Sequence, residues 1–166
     1  MAPELLADRG CGTCVACCRD FAIAELDKPA GHLCAHSGEE GLCRIYEDRP
    51  PACRVFFCAW RSWAAVPDDW RPDRTGFVLG GRLAPGRYLS VTTEPSRPDA
   101  WSVEPYRSQL RLWAGEAERV ESLVVVFSGR RVIQLLPEGA IDHGEIEPGA
   151  VLVRGGDGRL TKRSRG

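Results

Sequence analysis

Periodic apolar runs in this chain are concentrated beyond residue 70. Phe77-Val78-Leu79 and Tyr88-Leu89-Ser90-Val91-Thr92-Thr93 are short, β-rich segments that predict strands. The stretch between them holds Gly80, Gly81, Pro85 and Gly86 and predicts a turn. From about Glu104 to Ala117 the period becomes helical, with Tyr106, Leu110, Trp113 and Ala117 at i, i+4, i+7 and i+11 on one apolar stripe. Pro105 then belongs to the first turn, where a missing N–H costs little. Leu123 to Ser128 and Arg131 to Leu136 flank Gly129-Arg130 and predict a hairpin. In its second strand Val132, Gln134 and Leu136 alternate with Arg131, Ile133 and Leu135, so both faces are partly apolar and a central place in a sheet is expected. Ala150 to Val153 predicts a last short strand, and the Gly- and Arg-rich stretch from Gly155 onward a frayed tail.

Before residue 70 long periodic segments are few. That part carries 7 Lys/Arg against 11 Asp/Glu, a net of −4, whereas residues 71–166 carry 15 against 12, a net of +3. Over all 166 residues the formal charge is −1, so no global field points to nucleic acid or an anionic membrane. With 43% hydrophobic and 27% charged residues the composition is that of a globular protein rather than a disordered or fibrous one. No apolar run approaches the roughly 20 residues a membrane helix needs; Leu123 to Phe127, for one, is strand-sized.

Cysteine changes the picture. All eight cysteines lie between Cys11 and Cys58. The stretch Met1 to Arg9 has no basic start followed by an apolar core, so a secretory signal is not expected there and a cytoplasmic location is. In a reducing compartment, thiols this dense read as metal ligands; in a secreted domain they would read as a disulfide framework. Adjacent Cys17 and Cys18 fit a disulfide scheme poorly, because a vicinal bridge is strained. The opening Cys11-Gly-Thr-Cys14-Val-Ala-Cys17-Cys18 makes two successive C-x-x-C steps. That spacing also begins the bacterial ferredoxin run, but here the fourth cysteine follows with no spacer. Cys17 and Cys18 point apart in helical or extended backbone and can serve different metals or different edges of one cluster. Cys34, Cys43, Cys53 and Cys58 lack a paired knuckle, so an ordinary zinc ribbon is not matched.

Three stretches carry a resemblance. Cys11 to Arg19 (CGTCVACCR), Gly31 to His36 (GHLCAH) and Gly41 to Trp60 (GLCRIYEDRPPACRVFFCAW) together resemble the YkgJ-type cysteine-cluster family, described as a zinc- or iron-chelating domain. The likeness covers about residues 11–60, a third of the chain. It implies metal binding, with Cys11, Cys14, Cys17, Cys18, Cys34, Cys43, Cys53 and Cys58 as the ligand candidates. It implies no particular reaction.

The chain thus reads as α+β: a small irregular cysteine-rich metal-binding module over residues 1–70, an α+β unit of antiparallel strands plus one helix over 71–155, and a flexible basic tail over 156–166. A module with so small an apolar core draws stability from its metal. Eight thiolates make two Cys₄ zinc sites, or one [4Fe–4S] cluster with four cysteines in other roles, and thiolate softness suits zinc and iron alike. Zinc or iron is the expected cofactor, with a [4Fe–4S] cluster the alternative. His32 and His36, beside Cys34, are second-choice ligands; His143 is expected in an exposed turn. Arg19, Arg44, Arg49 and Arg54 adjoin cysteines and can offset thiolate charge. Pro50-Pro51 fix the backbone, bar helix continuation before Cys53 and present it rigidly. Trp60, Trp63 and Trp70 are expected to plug the cysteine-rich part onto the α+β unit. No P-loop, dinucleotide fingerprint, HExxH or GxSxG occurs, so no enzyme class is implied. A metal-binding protein with a protein partner is the leading reading. An Fe–S electron-transfer or metalloenzyme-accessory protein is second, and a zinc-stabilised protein- or nucleic-acid-interaction module third, with nucleic acid disfavoured by the acidic cysteine half.

Overall fold

The structure is a computed structural model, and it describes residues 4–38, 43–147 and 149–163. The first seventy residues contribute three short helices, α1 (Ala16–Asp20), α2 (Pro51–Val55) and α3 (Ala59–Ser62), joined by turns. Next come α4 (Pro72–Thr75), β1 (Phe77–Gly81) and β2 (Tyr88–Thr93). The long helix α5 (Tyr106–Arg119) leads into β3 (Leu123–Ser128), β4 (Arg131–Leu136), β5 (Gly139–Glu145), β6 (Val151–Arg154) and β7 (Leu160–Arg163). The mixture of helix and strand is α+β.

β3 is apolar at nearly every position because both of its faces are covered. It is the middle strand of a five-stranded sheet in the order β1-β2-β3-β4-β5. Val124 and Val126 face one side with Leu89, Val91, Ile133 and Leu135, under Leu110, Trp113, Ala114 and Ala117 of α5. Val125 and Phe127 face the other side with Val132, under Leu152 and Leu160 of the β6–β7 hairpin. The apolar stripe expected on the helix is the stripe that is buried. β4 lies inside the sheet, between β3 and β5.

Three expectations are corrected. The sheet is not all antiparallel: β2 and β3 run parallel, with Leu89 opposite Val124 and Val91 opposite Val126. Parallel neighbours need a long crossover, and α5 supplies it. The tail does not fray at Gly155. β7 pairs with β6 over Leu160 to Arg163, because Leu160 inserts into the apolar layer and the Gln134 side chain clamps the hairpin. Gln134 is fully buried; its Nε2 donates to Gly158 O at 2.8 Å and its Oε1 accepts from Leu160 N at 2.8 Å. The last three residues of the expected tail, 164–166, lie outside the described residues. Third, His143 sits half-buried in β5 rather than in an exposed turn, and its Nε2 is buried without a partner.

The tryptophans do join the two parts. Trp60 and Trp70 are buried in the same core cluster as Phe77 and Trp113, and Trp63 packs on Trp113 at a ring separation of 4.8 Å. Near the N-terminus, Arg9 is buried over the Trp60 ring, donates to Trp60 O at 2.7 Å and pairs with Asp68. Leu6 N donates to Arg61 O, and Arg61 Nε donates to Arg9 O at 2.9 Å. Residues 5–10 are therefore strapped to α3 directly upstream of Cys11. Among the described residues no helix is long and apolar enough to cross a membrane.

Candidate metal centre

Each cysteine is placed by local backbone chemistry. Gly12 adopts φ +52, a left-handed conformation that side-chain-bearing residues rarely hold, and the turn closes with Cys14 N donating to Cys11 O at 2.9 Å. α1 then carries Cys17 and Cys18 on successive positions, about 100° apart around the helix. Arg19 fixes this helix by pairing with buried Asp20 at 2.7 Å and with Glu94, just past β2, at 3.0 Å. The following loop is held by Lys28, a buried ammonium donating to the carbonyls of Arg19, Phe21 and Pro29. Cys34 N then donates to Cys18 O at 3.1 Å, and Cys34 O accepts from Ser37 N at 2.9 Å. Ser37 in turn forms a bridge with Cys43.

Pro51 starts α2 with Pro50 as its cap, so Cys53 lies inside a helix that begins at the prolines. A proline at the first helical position has the backbone angle the helix needs and lacks only a donor that would be unpaired anyway. Cys58 pairs with Gly80 of β1 across an isolated bridge. Gly80 permits this approach: a Cβ there would lie 2.8 Å from Ser90 Oγ and 3.3 Å from the Phe56 ring.

All eight cysteines line a single cavity of about 360 Å³, walled by Phe21, Ile23, Ile45, Phe56 and Phe57. All eight are free thiols. Phe21 and Phe56 meet at 4.7 Å to form one apolar wall. Among the described residues, no three His, Cys, Asp or Glu side chains are drawn together closely enough to hold an ion. The thiols share a space without closing on a point. The donor set, soft sulfur with no competing carboxylate, suits zinc, iron or Cu(I).

The thiols are not equivalent. A hydrogen bond to Cys18 pushes the Cys17 thiol well above the ordinary 9.0, and burial and the charges of Cys18, Cys11 and Cys14 push it further. The same hydrogen bond lowers Cys18 to about 7; Lys28 and Arg49 assist and burial opposes. Burial pushes Cys58 up to about 12, with the charges of Cys14 and Cys11 adding to it. Cys14 is raised chiefly by burial, against which Arg71 acts. Burial also raises Cys53, together with the charges of Cys18, Cys34 and Cys43.

Of the arginines expected to offset thiolate charge, Arg49 does act on Cys18 and Cys53, while it stacks on Tyr46 at 3.5 Å. Arg54 instead donates to the carbonyls of Arg49 and Glu47, and Arg44 is exposed. Arg19 likewise shares a field with Cys14, and Lys28 and Arg71, distant in sequence, join Arg19 and Arg49 in the role. Arg71 donates to Thr13 Oγ1 at 2.9 Å, and its charge acts on Cys14 from 57 positions away, a pairing no local pattern announces. His32 is exposed, with its Nδ1 beside Ala30 O, and neither it nor His36 is among the lining residues. A larger cleft of about 530 Å³ lies between the sheet and the β6–β7 hairpin, but its lining holds no cysteine, histidine or carboxylate. Comparison of the chain with models of protein families, with curated proteins and with solved structures gave no match.

Proposed function

We propose that this is a metal-binding protein that chelates zinc or iron through Cys11, Cys14, Cys17, Cys18, Cys34, Cys43, Cys53 and Cys58, with no reaction assigned. The observation that carries this is the convergence of eight free thiols, spread over 48 residues, on one cavity. Eight sulfur groups held together without disulfides gain little as neutral thiols and repel one another as thiolates. A bound cation removes both penalties, and it supplies folding energy to a segment poor in apolar core. The likeness of residues 11–60 to the YkgJ-type family supports the same reading. The α+β part, to which Trp60, Trp63 and Trp70 anchor the cysteine segment, would be the part that meets a protein partner.

The cavity volume favours a second reading, an Fe–S cluster in an electron-transfer or accessory protein. A lone zinc with bonds of about 2.3 Å leaves no space inside its thiolates, whereas about 360 Å³ accommodates a polynuclear centre. Such a cluster would supply one-electron chemistry; Lys28, Arg49 and Arg71 would offset its negative charge. Purification without air, with metal quantitation and a visible spectrum, tests both. At least one metal per chain is expected. Brown protein with iron and sulfide selects the cluster, and colourless protein with stoichiometric zinc selects zinc. Less than one metal per chain with all eight thiols titratable ends the proposal.

A further inference from the structure

We propose that the cleft between the sheet and the β6–β7 hairpin binds a monoalkyl carboxylate, with the alkyl tail along β3 and the anionic head at Arg154. This site is separate from the thiol cavity and shares no lining residue with it.

The cleft exists because the hairpin is fastened to one half of the sheet. Gln134 of β4 holds Gly158 and Leu160, and Lys162 Nζ donates to Glu145 O of β5 at 3.1 Å. Among the described residues no hydrogen bond joins the hairpin to β2 or β3. On that side about 530 Å³ is left open between the two layers. Its floor is Leu123, Val125 and Phe127, which alternate along β3. Tyr88 stands opposite Leu123 on β2, half exposed, with its ring 6.3 Å from that of Phe127. Val151 and Leu152 of β6 close the other side.

Strand register gives the cleft two ends. One is at the Gly129-Arg130 turn, where Ile146 N donates to Arg130 O at 2.9 Å. The other is at Leu123, the start of β3. The hairpin's tip lies there, because Arg159 pairs with Glu138 in the β4–β5 turn and the end of β4 pairs with the start of β3. Arg154, the last residue of β6, adjoins that tip. Arg130 and Arg154 are the charged residues among those lining the cleft, one at each end. Arg130 is already engaged, pairing with Glu147 at 2.8 Å and donating to Ile146 O at 3.2 Å. Arg154 makes no ion pair with any described residue, and no carboxylate lines the cleft to repel an anion.

These features select the ligand. From Leu123 to Phe127 the floor runs about 13 Å at roughly 3.3 Å per residue. An apolar channel of that length suits an extended chain, and one unneutralised cation at its end suits one anionic head. Enclosure between two layers, at a volume within the roughly 300–1,000 Å³ of small-molecule sites, favours a small molecule. A protein partner would need about 800 Å² of open face.

Isothermal titration of the full chain, purified without air, with dodecanoate below its micelle concentration tests this. One dodecanoate per chain is expected, with octanoate weaker and acetate inert, because each methylene buries more apolar surface. Dodecanol has the same tail and no charge and should bind about fivefold more weakly. Arg154→Gln should weaken dodecanoate by about the same factor and leave dodecanol unchanged. Arg130→Gln, where Glu147 already meets the charge, should change neither by more than about twofold. Amide chemical shifts should move at Tyr88, along β3 and along β6. Equal affinity for dodecanoate and dodecanol, or an Arg154→Gln chain that binds dodecanoate as wild type does, overturns the placing of the head. Shifts centred on residues 11–58, binding only to phosphatidylglycerol vesicles, or no saturable binding overturns the site itself. So does a dimer, seen by sedimentation, that Tyr88→Asp dissociates.

Discussion

At the scale of single residues, the position of a proton decides reactivity. Cys18 accepts a hydrogen bond from Cys17 and lies in the field of Lys28 and Arg49, so its thiol falls to about 7 and is half ionised near neutral pH. Cys58, desolvated beside β1, rises to about 12 and stays protonated. In metal-free protein at pH 7.5, iodoacetamide should label Cys18 well before Cys58, as read by peptide mass mapping; equal rates would contradict the assigned hydrogen bond. Cys58 also links stability to pH. Its folded value lies above the ordinary 9.0, so the fold favours the neutral thiol. That contribution is whole below pH 9 and is lost as pH climbs toward 12. The metal-free chain should therefore melt earlier as the solution is made alkaline, and Cys58→Ala should flatten the trend. Lys28 is the residue whose role was hidden. Its ammonium donates to three carbonyls, and the flanking sequence gives no sign of burial. Lys28→Met leaves those acceptors without their charged donor and should cost about 1.5–3 kcal/mol, measured by denaturant unfolding; an unchanged midpoint would remove Lys28 from the account.

Among secondary-structure elements, two contacts govern how the pieces dock. Gln134 replaces ladder pairing where β6–β7 crosses the sheet, satisfying Gly158 O and Leu160 N with one side chain. Gln134→Leu keeps the volume but leaves both groups unpaired, at about 1–3 kcal/mol each. Limited proteolysis between residues 155 and 163 should quicken in that variant while the core strands persist; unchanged cleavage would show that Leu160 packing alone holds the hairpin. Gly80 does the corresponding work for the cysteine segment, since any Cβ there meets Ser90 Oγ and then the Phe56 ring. The sequence showed Gly80-Gly81 as a turn because glycine is rare inside strands, but the strand continues through both. The pressure for glycine at position 80 comes from a distant segment, which a local pattern cannot display.

For the whole molecule, the two regions are stabilised by different physics. The sheet, α5 and the three tryptophans form one apolar core cluster, against which Cys58 packs. Around the cysteines the chain is held by turns, short helices and a few polar clasps. Removing metal with a chelator should therefore raise amide exchange across about residues 10–58 and leave β1–β4 and α5 protected. Exchange rising equally in both regions would mean that the metal supports the entire fold. Exchange unchanged in both would mean that the cysteine segment folds without it.

What the sequence determined by itself is whatever depends on residue type and short spacing: the helix stripe, the strands β2, β3 and β4, the tryptophan plug and the inventory of thiols. These follow from periods of 2 and 3.6 and from the chemistry of sulfur, which need no knowledge of distant contacts. The parallel pairing of β2 with β3, the strand β7, and the cations beside the thiols were decided only in three dimensions. Each depends on partners far apart in the chain, such as Arg71 with Cys14, Gln134 with Leu160 and Cys58 with Gly80. The grouping of cysteines was visible as eight residues within a short stretch, but which of them face one another was not. Their neighbourhoods are set by the turn of α1 and by backbone hydrogen bonds across loops, and side-chain identity alone carries neither.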